Sequence, residues 1–82
     1  MSDFERRQTA LIVGETYRVL RNAPNSRGPD FEADERLTLL ESGYSRYDSA
    51  FVYVFETGGG MQKYFWLGDD DPVERLTGTF SV

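Results

Sequence analysis

Three consecutive glycines, Gly58-Gly59-Gly60, separate two runs of strand-forming side chains, Ala50-Phe51-Val52-Tyr53-Val54-Phe55 and Met61-Gln62-Lys63-Tyr64-Phe65-Trp66-Leu67. Glycine adopts the positive-φ backbone of a tight reversal at little steric cost, so this stretch is expected to turn back on itself. Aromatic and β-branched residues suit the pleated surface on either side. In the first run both alternating sets are apolar or aromatic, the pattern of a strand covered on both faces. In the second, Met61, Phe65 and Leu67 take one face and Tyr64 and Trp66 the other. A hairpin over residues 50–67 is the centre of the fold.

Three weaker strands surround it. Residues 15–20 alternate Tyr17 and Val19 with Thr16 and Arg18, residues 36–40 turn Leu37 and Leu39 inward, and residues 77–82 place Phe80 and Val82 on one face. Loops are expected over 22–30, where Pro24, Pro29 and Gly28 interrupt any regular element, and over 41–49. Between the hairpin and the last strand, Asp71 can cap, Pro72 suits a first helical position and Glu74 can reach back, which predicts one helical turn. Near the start, Ser2 and Glu5 fit a capping box for a short helix over residues 3–10, docked or frayed. The expected architecture is mostly β: a small five-stranded SH3-like antiparallel barrel over residues 11–82, with a short N-terminal helix and a helical turn before the last strand. An OB-like barrel competes, but it inserts a helix between its third and fourth strands, where this chain has a glycine turn.

Gly14-Glu15-Thr16-Tyr17-Arg18-Val19, then Phe31 to Leu37 with Glu35 between, then Tyr44-Ser45-Arg46-Tyr47-Asp48, resemble an uncharacterised family of small bacterial domains. That family's pattern is a Gly-x-x-Tyr-x-Val start, a Phe-x-x-Gly-Glu-x-Leu centre and a tyrosine-aspartate turn. The resemblance spans residues 11–67 and departs at Asp34, which stands where the pattern has glycine. It implies a bacterial source and carries no activity.

At 82 residues the chain has room for one domain and one hydrophobic core. Cysteine is absent, so no disulfide supplements that core, and a reducing, cytoplasmic location is expected. Residues 1–10 are polar and lack the apolar centre of a signal peptide, and no run approaches the roughly 20 apolar residues of a membrane span. A formal charge of −5 with scattered arginines disfavours nucleic acid as a partner.

Histidine is absent as well, which removes the commonest general base near neutral pH alongside the most nucleophilic side chain. A carboxylate hydrolase using Asp30, Glu32, Asp34 or Glu35 is the enzyme reading that remains. Asp69-Asp70-Asp71 suggests calcium by composition, but the spacing of a calcium loop is missing and Pro72 follows at once, so neither metal nor cofactor is expected. Gly58-Gly59-Gly60 lacks the lysine and hydroxyl of a phosphate loop.

Five tyrosines, six phenylalanines and one tryptophan exceed what the inside of so small a fold needs. Tyr44, Tyr47, Tyr53, Tyr64 and Trp66, with Arg46 between two of them, form the candidate binding patch, because tyrosine and tryptophan pair an apolar ring with a polar handle. The tyrosine spacing of a proline-rich peptide groove is missing. The function these residues suggest is a non-catalytic protein-interaction module of a bacterial cytoplasm, monomeric or weakly dimeric, binding a protein through aromatics beside acidic loops. An immunity or inhibitor protein against a basic toxin or nuclease is the alternative, and the carboxylate hydrolase a second.

Overall fold

The computed structural model describes residues 10–24 and 28–82; the helix expected over residues 3–10 falls outside them except for Ala10. Five antiparallel strands form one sheet: β1 (Thr16–Val19), β2 (Arg36–Ser45), β3 (Ala50–Thr57), β4 (Gln62–Gly68) and β5 (Phe80–Ser81), with the helix α1 (Val73–Thr77) before the last. Their order across the sheet is β4-β3-β2-β1-β5. The triple-glycine hairpin is present as expected. Gly60 sits at φ 85°, and the Met61 amide donates to the Thr57 hydroxyl to close the turn.

Closure into a barrel is not observed. β4 and β5 are the two edges of the sheet, and β5 is only two residues long, pairing through Ser81 and Phe80 with Arg18 and Val19 of β1. So short a strand has no ladder left to offer β4. The helix α1 packs against both edges instead. Phe31, carried by the long β1–β2 connection, also fills the space beneath. Its ring lies 5.3 Å from Phe80, 5.8 Å from Phe65 and 5.9 Å from Phe55, all edge to face. Ala23 and Phe31 exchange backbone hydrogen bonds and so bring these two points of the connection together.

The second strand runs past its expected end at residue 40. The pairing Leu39↔Phe55 is followed by Glu41↔Val54, so Leu40 is the extra residue of a bulge and the ladder continues to Ser45↔Ala50. Ser42, Gly43 and Ser45 have little strand propensity of their own, but β3 supplies a full-length template, and pairing overrides composition. Only residues 46–49 turn.

One face of the sheet builds the core. Tyr17, Val19, Leu37, Leu39, Phe51, Tyr53, Phe55, Phe65, Leu67 and Phe80 pack there, joined by Leu11, Phe31 and Leu76. Met61 and Val82, expected on that face, are exposed. Lys63 falls on it by alternation and is buried. Its ammonium donates to both oxygens of Glu35 and to the Asp30 carbonyl, each at 2.8 Å, and lies over the Phe31 ring.

Two family-like motifs acquire physical roles. Gly14, at φ 95°, occupies the third position of a turn closed by Glu15 N–H to Ile12 C=O, where positive φ favours glycine. Three residues on, the Tyr17 hydroxyl accepts the Ile12 amide at 2.7 Å, locking the turn against β1. Asp34 sits at φ 70°, a left-handed conformation that suits glycine and that aspartate tolerates better than most side chains.

The helical turn forms, but not by the expected cap. Pro72 is the N-cap and no side chain caps it. Asp71 accepts the Gly68 amide and the Arg75 guanidinium, and Arg75 also donates to the Trp66 carbonyl. The pair ties α1 to the edge of β4.

Candidate functional site

Residues that pair across adjacent strands point to the same side, so register alone assigns the face opposite the core. There, Trp66 lies beside Val52 and Gly43, and Tyr64 beside Val54 and Glu41. The bulge puts Leu40 next to Glu41 on this side. Strands with one solvated face normally carry polar residues on it, whereas here the outer rows of β3 and β4 are valine and aromatic. Tyr64 is 39% exposed and Leu40 36%, Trp66 and Val52 are half-buried, and Val54 is buried. Because Gly43 has no side chain, a cavity of about 240 Å³ opens between Glu41, Ser42, Gly43, Val52 and Val54. Glu41 and Glu56, both exposed, border the apolar rows.

The six residues singled out from sequence do not form one patch. Tyr53 is completely buried in the core, its ring stacked on Phe51 with centroids 6.4 Å apart, so it is removed from the candidate surface. Its strand is apolar on both sides, and the register that pairs it with Phe65 and Ser42 puts it on the inner face. Tyr64 and Trp66 lie on the outer face. Tyr44 pairs with Phe51 and therefore stands at the rim of the inner face, its ring edge-on to Phe51 at 5.0 Å. Arg46 and Tyr47 belong to the β2–β3 turn, where Tyr47 is fully exposed. Leu40, Val52 and the gap over Gly43 were missed. The apolar outer row of β3 was their signal, but Leu40 needed the bulge.

Tyr44 has a defined polar environment. Its hydroxyl donates to Asp69 at 2.8 Å, and this hydrogen bond to a carboxylate holds the phenol pKa above its ordinary value of 10.0, with burial and the Asp69 charge acting the same way and Arg46 opposing. Tyr44 is thus a hydrogen-bond anchor between the last residues of β2 and the end of β4.

The carboxylates considered for catalysis are placed differently. Both oxygens of Glu35 are engaged by Lys63, in a pair whose side chains are 8% and 22% exposed. Glu35 therefore holds the β1–β2 connection to β4. In the aspartate triplet, Asp69 accepts from Tyr44 and Asp71 from Gly68 and Arg75.

No family model and no curated protein matches this chain. A solved structure does: an integron cassette protein from the mobile metagenome of Vibrio cholerae superposes with a TM-score of 0.71 at 20% identity, over 90% of this chain and 87% of that one. The likeness is one of fold. It covers nearly the whole length of both chains.

Proposed function

We propose that this chain is a non-catalytic protein-interaction module of a bacterial cytoplasm, and that it binds through the outer face of β2–β4. The observation that supports this reading is the apolar character of a sheet face on the side away from the core: Leu40, Val52, Tyr64 and Trp66 share it with a gap over Gly43 that Val52 and Val54 line. A strand order in which the last strand flanks the first and the others form a meander is that of an SH3-like fold, here opened between β4 and β5. Aromatic rings beside a gap supply a pocket and anchors, the arrangement found at the energetic centre of protein interfaces. Glu41 and Glu56 at its border, with a net charge of −5, select a partner with an apolar knob inside a basic rim and speed their encounter.

The test is a pure two-component complex with a partner captured from the source cell. Replacing a central ring, Tyr64→Thr, is expected to weaken binding by at least about tenfold while melting stays unchanged. Tyr47→Thr, at the turn, is expected to leave affinity within about twofold. Equal affinity of wild type and Tyr64→Thr would overturn the assignment of the face.

A further inference from the structure

The opposite end of the outer face carries a different chemistry. Backbone hydrogen bonds from Val19 N to Glu35 O and from Leu39 N to Glu15 O set the phase of the β1–β2 ladder, which makes Arg18↔Arg36 and Thr16↔Thr38 its non-hydrogen-bonded pairs. At such pairs the two side chains stand closest. Two arginine side chains therefore start directly opposite each other on adjacent strands, an arrangement that disfavours the fold by like-charge repulsion. Acidic residues outnumber basic ones fourteen to nine in this chain, yet among the described residues none forms an ion pair with either arginine.

The surroundings are mostly donors, with one carboxylate, Glu56, paired with Thr38 on the side away from Thr16. Ser81 of β5 pairs with Arg18 on its other side, and the Thr16 and Thr38 hydroxyls lie 3.3 Å apart in the neighbouring row of the same face. Thr16, Tyr17, Arg18, Arg36 and Val82 line a cavity of about 310 Å³. Two planar guanidinium forks with hydroxyls from three strands present more donors than a planar carboxylate can accept, and they match the several oxygens of a tetrahedral dianion.

We propose that Arg18 and Arg36, with Thr16, Thr38 and Ser81, form a binding site for a phosphate group, either free phosphate or a phosphate monoester. The bound dianion relieves the arginine repulsion. This site is separate from the apolar end of the outer face and does not depend on it.

The experiment is a titration of the full chain at low ionic strength and pH about 7.5, where phosphate is largely dianionic, followed by amide and arginine side-chain NMR. Inorganic phosphate is expected to give saturable shifts at Arg18, Arg36, Thr16 and Ser81, with sodium chloride and sodium acetate at matched ionic strength giving none that saturate. Arg18→Gln and Arg36→Gln should each weaken binding by about tenfold or more, and both variants should fold, since each removes a repulsion. O-phosphoserine as a second probe separates the sources: binding at least about tenfold tighter than inorganic phosphate assigns the site to a phosphate ester, and equal binding to the free ion. Shifts reproduced by chloride or acetate, or retained in the double Gln variant, would overturn the proposal.

Discussion

The two faces of one sheet follow the same strands and obey opposite rules. On the inner face every strand contributes a large apolar side chain, and Phe31, Phe55, Phe65 and Phe80 interlock, with Phe55 and Phe80 stacked at 4.5 Å. On the outer face the residues sort by position: valines on β3 and aromatic rings on β4, threonines and glutamates in the middle, arginines over β1 and β2. Packing dictates the first face residue by residue. The second retains a pattern that packing does not require, and so it carries the functional readings.

Breaking the inner face should be the most damaging. Phe31→Ala removes the ring that fills the space between the two sheet edges and is expected to cost about 3–5 kcal/mol in a denaturant titration, enough to leave a domain this small largely unfolded. The polar exception within that face comes next. Glu35→Ala strands the Lys63 ammonium beneath Phe31, and because the carboxylate is partly exposed (22%) the expected loss is about 2 kcal/mol, at the lower side of a broken buried pair. Restoring stability with Lys63→Met in the same chain would identify the stranded charge as the cause.

The outer face should respond differently. Tyr64→Thr keeps a strand-forming residue and is expected to change stability by about 0.5 kcal/mol or less, so a loss above about 2 kcal/mol would mean that this face is a second core instead of a surface. The finest distinction concerns the rim. Tyr44 should ionise above the ordinary tyrosine value of 10.0, as followed by tyrosine ring NMR. A phenol whose folded pKa is raised contributes stability that is complete below the unfolded pKa and is lost as pH climbs through the folded one. Tyr44→Phe should therefore flatten the decline of stability above pH about 10. Unchanged alkaline behaviour would show that the Asp69 hydrogen bond does not persist in solution.

Particular residues explain how much was legible. Phe65 and Leu67 were readable as one face of their strand and Tyr64 and Trp66 as the other, because alternation is a local property. Gly14 was readable as part of a motif, although its partnership with Tyr17 through the Ile12 amide was not. Tyr53 was misassigned to the surface because a strand that is apolar on both sides gives no local sign of which side is inside. Lys63 escaped notice for the opposite reason: a lysine in a strand reads as solvent-facing until a carboxylate 28 residues earlier in the chain comes to meet it.

Sequence by itself determined the existence of the five strands, the hairpin with its positive-φ glycine turn and the helical turn, since all of these follow from the preferences of neighbouring residues. Tertiary structure decided the bulge at Leu40, the open seam between β4 and β5, the burial of Tyr53 and the meeting of Arg18 with Arg36. Each of those depends on register between segments far apart in the chain. A shift of one residue in register exchanges the two faces of a strand, and only the packed molecule selects one.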